Sequence, residues 1–139
     1  MDKYEKLLLD IEEIINTVDE VHKVSHSKAL PISQEDRFTA VYIAPTVDDF
    51  KLDKQGTSAH AYTNVLYTRL VVNMDCTSDD LLWVRTRRKI IDAILDDSPI
   101  WSTIIDRDIV SVAYDDYDMY PLRTMEMLFE FSIRADCIT

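Results

Sequence analysis

The hydrophobic positions of this chain recur with two different periods, and each change of period marks an element. Tyr4, Leu7, Leu8, Ile11, Ile14, Ile15 and Val18 return at spacings of three and four, while Asp10, Glu12, Glu13 and Asn16 fall mostly opposite. That pattern predicts an amphipathic helix over 2–18. Asp2 is placed to cap it, with Glu5 reaching back as in a capping box. Near the other end, Met125, Met127, Phe129, Phe131, Ile133 and Ala135 alternate with Thr124, Glu126, Leu128, Glu130, Ser132 and Arg134. Period two sustained that far is a strand with one apolar face.

A second long strand is predicted over Asn64–Cys76. Leu66, Thr68, Leu70, Val72 and Met74 form its core face, and Val65, Tyr67, Arg69, Val71 and Asn73 form a mixed face suited to water or another subunit. A second helix follows, capped by Thr77 or Ser78, with Asp79 and Asp80 at its positive end. "EVHKVSHS", "RFTAVYIAP" and "DIVSVAYDDYD" read as further strands, the second stopped by Pro45, and Ile100 to Asp106 as a connector. The stretch 45–63 is longer than the roughly 12–15 residues of an ordinary loop. It is expected to be a long functional loop or a hairpin extension around Gly56. Strands outnumber helices without alternating with them. The expected fold is a single α+β domain over 1–139: an antiparallel-rich mixed β-sheet with two α-helices packed on one face.

Composition narrows the function. Acidic residues number 26 against 15 basic ones, a formal net charge of −11, which disfavours general attraction to DNA or anionic lipid. Gly56 is the single glycine, so the glycine-rich loops that cradle nucleotide phosphates are excluded. No apolar run approaches the ~20 residues of a membrane span. "MDKYEKLLLD" mixes acids among its leucines and shows no small-residue cleavage site, so cytoplasmic synthesis is expected. Cys76 and Cys137 form no CxxC and are expected to be free thiols.

Catalytic and metal chemistry finds little support. His22, His26 and His60 have no carboxylate or cysteine at ligand spacing beside them, and no serine sits in a nucleophile elbow. Asp115, Asp116 and Asp118 in "YDDYDMY" lack the spacing and glycine of a calcium loop and read as an exposed acidic hairpin. No enzyme, cofactor or metal is expected.

One cluster breaks the acidic pattern. Arg85, Arg87, Arg88 and Lys89 lie within "LLWVRTRRKIIDAILDD". At ~100° per residue, Trp83, Val84, Ile90, Ile91, Ile94 and Leu95 take one half of the wheel. Arg85 and Lys89 fall on the opposite half and Arg88 at its border, but Arg87 lands inside the apolar arc. A guanidinium there must meet a carboxylate, within the domain or from a neighbour, and Asp115–Asp118 is the candidate segment. Five acids on the same helix offset its bases, so three readings stand: a solvated face with Arg88–Asp92 pairing, a contact with an acidic protein surface, or a grip on nucleic acid.

The order of these elements resembles that of the tail-terminator (tail-completion) proteins of long-tailed phages, of the lambda minor tail protein U type. The similarity lies in the N-terminal amphipathic helix, the strand "FTAVYIAP" ending in proline, and "YTRLVVNMD" running directly into a capped helix. The closing strand "MEMLFEFSIRAD" completes it. The resemblance implies a homohexameric ring at the head-proximal end of the tail tube, assembled in the host cytoplasm and residing in the virion. Such a ring stops tube polymerisation, contacts the tail tube protein and the head-completion or connector protein, and lets DNA pass without specific binding. In a closed ring each subunit offers two different surfaces, so Arg85, Arg87, Arg88 and Lys89 are expected to meet an acidic patch such as Asp115, Asp116 and Asp118. Rival classes are another head–tail connector or neck subunit, a small enzyme or ligand-binding domain, and a monomeric adaptor for an acidic peptide.

Overall fold

The computed structural model describes residues 2–26, 39–52, 61–101, 104–115 and 122–136. The elements are α1 (Lys3–Asn16), β1 (Lys23–Ser25), β2 (Ala40–Leu52), β3 (Ala61–Asp75), α2 (Leu82–Leu95), β4 (Ile104–Asp115) and β5 (Leu122–Asp136). The strands form one sheet in the order β1-β2-β3-β5-β4. Only β1 and β2 are parallel; every other neighbouring pair is antiparallel. The fold is α+β, as the change of hydrophobic period predicts.

Alternation along β5 decides which way the sheet faces. Met125, Met127, Phe129, Phe131 and Ile133 are buried, and their partners across β3, from Leu66 to Val72, are buried with them. Leu7, Ile11, Ile14 and Ile15 of α1, with Ile90 and Ile94 of α2, join the same core cluster. Both helices therefore cover one sheet face. Phe129 and Phe131 stack at 6.1 Å between ring centroids, and Trp101 leans on Phe131 at 6.0 Å.

The uncovered face keeps the mixed character expected of it. Val65 and Val71 are buried among their neighbours, while Tyr67, Leu128 and Glu130 are partly open. By register this face carries Asp49, Asp75, Asp106, Asp108, Glu126 and Glu130 against Lys23 and Arg69 among the side chains described. Arg69 reaches Glu126 at 3.7 Å across the strands. Among the described residues no element covers this acidic sheet face.

Pro45 does not stop the second strand. β2 continues to Leu52, paired with β3 as far as Tyr62, and the register shifts between Pro45 and Val47. β1 pairs with Ala40–Tyr42 alone, so among the described residues nothing pairs with this part of β2 on the side away from β3. There, and at a bulge, a missing N–H costs little. The stretch expected as a long loop or hairpin extension thus contributes two paired strand segments, which form an arm beyond the helices.

Two local expectations are corrected. Asp10 is buried, because it lies one turn from both Leu7 and Ile14, and Lys6 Nζ donates to its carboxylate at 2.7 Å. Thr77 does not cap α2; its N–H donates to Asp75 Oδ1 at 2.9 Å, and its hydroxyl bonds the same oxygen. Asp79 takes over the entry to α2, accepting from the Leu81 N–H at 3.1 Å. At α1 the expected cap is present, with the Tyr4 N–H donating to Asp2 Oδ1 at 3.1 Å.

Candidate functional site

α2 positions all four basic residues of the cluster, and the core sets how the helix is rotated. Its buried positions are Thr86, Ile90 and Ile94. Thr86 can face the core because its hydroxyl donates to the Leu82 carbonyl at 2.9 Å. The buried arc is therefore turned away from the one the wheel suggests. Val84 and Leu95, expected inside it, are exposed.

Three of the four bases are engaged within the chain. Arg85 pairs with Asp79 at the helix entry. Arg88 pairs with Asp92 at 3.0 Å, one turn on, and both side chains stand well out in solvent. Lys89 reaches across to Glu20, Nζ to Oε1 at 2.5 Å, tying α2 to the segment after α1. Hydrogen bonding to these bases holds the carboxyls of Glu20 and Asp79 below their usual range.

Arg87 stands apart. It is half-buried, its Nε is out of contact with water, and that nitrogen meets no hydrogen-bond acceptor. Among the described residues no carboxylate pairs with it. Asp116 and Asp118, the expected partners, lie outside the described residues, and of Asp115 only the backbone, at the end of β4, is described.

The flank of α2 that carries Arg87 faces β4. At its first turn Trp83 packs edge-on against Tyr114, with centroids 5.2 Å apart. At its last turn Arg107, projecting from the helix-covered face of β4, closes the helix. Its Nε donates to the Ile94 carbonyl at 2.8 Å, and one terminal nitrogen donates to the Leu95 and Asp96 carbonyls at 3.2 and 2.9 Å. The guanidinium also lies 5.4 Å from the centre of the Trp101 ring. Nothing in the sequence marks Arg107 as a helix stop. It sits eleven residues after Asp96, and the bulges of β4 after Ile104 and Ile109 obscure which face it takes.

Two hollows lie among the described residues. A recess of about 170 Å³ lies between Met74, Trp83, Tyr114, Arg123 and Thr124, below the ~300–1,000 Å³ of typical ligand pockets. A second hollow, about 360 Å³, opens beside Asp97, Pro99, Trp101 and Ile104, but Arg107 there is committed to the helix carbonyls. Among the described residues no three of His, Cys, Asp and Glu are grouped to hold a metal. His26 does acquire a carboxylate neighbour that spacing did not suggest, Glu12 of α1 at 3.3 Å. Cys76 is a buried free thiol whose pKa burial pushes up; Cys137 and His60 lie outside the described residues.

No family model and no curated protein matches the sequence. The fold is nevertheless similar to one seen in a virus-like particle. A chain in the virion of a native gene transfer agent particle superposes with a TM-score of 0.58. The match covers 96% of this chain and 92% of that one, at 14% sequence identity. It is a likeness of fold over nearly the full length of both chains.

The Lys89–Glu20 pair makes stability depend on pH in a defined sense. The Glu20 carboxyl is held below its ordinary value of 4.5, first by the hydrogen bond from Lys89 and also by the Lys89 and Arg85 charges, against the opposing effect of burial. A depressed carboxyl pKa stabilises the fold above the unfolded value and loses that contribution as pH falls through the folded one. Glu20→Gln is expected to lower stability at pH 7 by about 0.5–1 kcal/mol, the range of a partly exposed pair. In urea melts the gap between the two proteins should shrink as pH falls below the ordinary value of 4.5 and close once pH is below the depressed folded value.

Proposed function

We propose that this chain is a structural virion protein acting as a phage tail terminator. Copies assemble into a ring, a hexamer by resemblance, at the head-proximal end of the tail tube. The ring stops tube polymerisation and offers a surface to the head-completion protein. The observation that carries this reading is the fold likeness to a chain of the gene transfer agent virion, spanning nearly all of both molecules. The order of elements, which resembles the tail-terminator proteins, supplies the specific place. The role is non-catalytic, a matter of surfaces and charge.

Duplex DNA passes the ring without specific binding. The basic residues Arg85, Arg88 and Lys89 are each offset by a carboxylate of the chain, and the uncovered sheet face is predominantly acidic. Counterion release, which drives phosphate binding, gains little from these three cations. The isolated protein is expected to leave duplex DNA unshifted at physiological salt. Micromolar binding abolished by Arg85→Glu with Lys89→Glu would reverse that expectation.

The decisive experiment removes the chain from the particle that encodes it. Electron micrographs should then show tails of uncontrolled length. Tails of normal length that fail to join heads would instead place the chain among the connector or neck proteins. Normal, fully joined particles would overturn a virion role.

A further inference from the structure

We propose that the β2–β3 arm of one copy docks on the α2–β4 flank of the next, with Asp48 pairing with Arg87 and Phe50 covering the apolar row beside it. This rests on the ring reading above and gives it a specific contact. The occupant is a second copy of this chain.

Two unfinished surfaces stand at opposite edges of the sheet. On the β4 side, Val84, Ile91 and Leu95 share a row along α2, with Val84 and Leu95 exposed and Arg87 between that row and the core. Val110, the bulged residue of β4, and Tyr114 are half exposed beside it. Arg87 Nε is shut off from water with no acceptor, and no carboxylate among the described residues pairs with this side chain.

On the opposite edge, the arm shows the complement. Phe50 is 64% exposed and Val47 50%. Asp48 and Phe50 pair with Leu66 and Asn64, which puts both on the helix-covered side of the sheet. Asp48 lies near Tyr4 at the start of α1, where the helix layer ends, so no helix covers Phe50. Neither Asp48 nor Asp49 has an ion-pair partner among the described residues.

The two halves are complementary in character: on the arm an exposed aromatic ring and a carboxylate, on the flank exposed aliphatic side chains and a guanidinium whose Nε has no acceptor. In the proposed contact the ring of Phe50 meets the aliphatic row and Asp48 meets Arg87. The contact joins different surfaces, so it repeats head to tail and closes only as a ring. The bulges and the exposed Asp106 and Asp108 of β4 disfavour simple strand addition at that edge, leaving side chains to make the joint.

The test is sedimentation velocity of the full chain over a range of concentrations at low salt. The wild type should associate. Asp48→Lys and Arg87→Glu alone should each weaken association at least tenfold, about 1.4 kcal/mol. Mixing the two variants should restore it, because each contact between unlike copies is again a matched pair. Phe50→Ser should weaken association without changing the melting temperature of the monomer. If Arg87→Glu fails to fold, Arg87→Met, which keeps the stem of the side chain, replaces it. A wild type that stays monomeric at every concentration overturns the proposal. Association indifferent to these variants also overturns it, while leaving the terminator reading to the tail-length experiment. Monomer destabilisation by Arg87→Met that Asp116→Asn with Asp118→Asn reproduces would assign Arg87 a partner in its own chain, and would sink the docking contact too.

Discussion

Arg107→Ala is expected to destabilise the fold by about 3 kcal/mol, lowering the melting temperature by ~10 °C for a domain of this size. The side chain is only 14% exposed and ends on three carbonyls at the close of α2. Helix ends leave their last carbonyls unsatisfied, and α2 has no basic residue in its own last turn to serve them. Removing Arg107 strands those groups in a partly dry place and withdraws the cation from Trp101. Its contact with Asp97 contributes little, since that carboxylate is fully exposed. Asp97→Ala should therefore change stability by less than ~1 kcal/mol. Arg107→Lys keeps the charge but loses the planar fork that spans three acceptors, so it should recover only part of the loss. Thermal melts of the three variants test the ordering, and equal losses for Asp97→Ala and Arg107→Ala would refute it.

Arg107 also shows where sequence reading ends. The sheet was legible because its strands carry a two-residue period unbroken by bulges: β5 from Met125 to Ile133 and β3 from Leu66 to Met74 bury the faces that alternation assigns. β4 was harder, because two bulges reverse its parity and hide which side Arg107 takes. The strand through Pro45 was missed for a related reason. Proline is a breaker in a central strand, and only the tertiary fact that β2 is an edge there makes it harmless. Helix existence followed from spacing, but helix rotation did not. An apolar wheel cannot foresee that Thr86 will satisfy its own hydroxyl against Leu82 and take a core position. That rotation of α2 exposes Val84 and Leu95, which the wheel places inside the apolar arc. Of the four basic residues on α2, Arg85, Arg88 and Lys89 are exposed and Arg87 alone is half-buried. Its expected carboxylate is not found among the described residues.

Arg87→Met is expected to stabilise the isolated monomer and to impair assembly. A buried polar nitrogen without an acceptor costs ~1–3 kcal/mol, and methionine retains the length and the apolar stem while removing it. The monomer should gain about 1 kcal/mol. Lys89→Ala should do the reverse in the monomer, losing up to ~1 kcal/mol, because it takes away the base that Glu20 accepts from. From the helical wheel alone the opposite order follows, with Arg87 the more damaging loss, since an ion pair half inside a protein is costly to break. The proposed contact separates the two quantities: monomer stability is governed by contacts within the chain, and assembly by the contact a second copy would make. Chemical denaturation should rank the monomers Arg87→Met, wild type, Lys89→Ala. Complementation of a particle lacking the chain should place Arg87→Met last, with tails of uncontrolled length, while Lys89→Ala still terminates them. A residue that weakens the fold it sits in, and is needed only when a neighbour arrives, is retained for the neighbour; an Arg87→Met chain that both melts higher and terminates tails normally would show that this one is not.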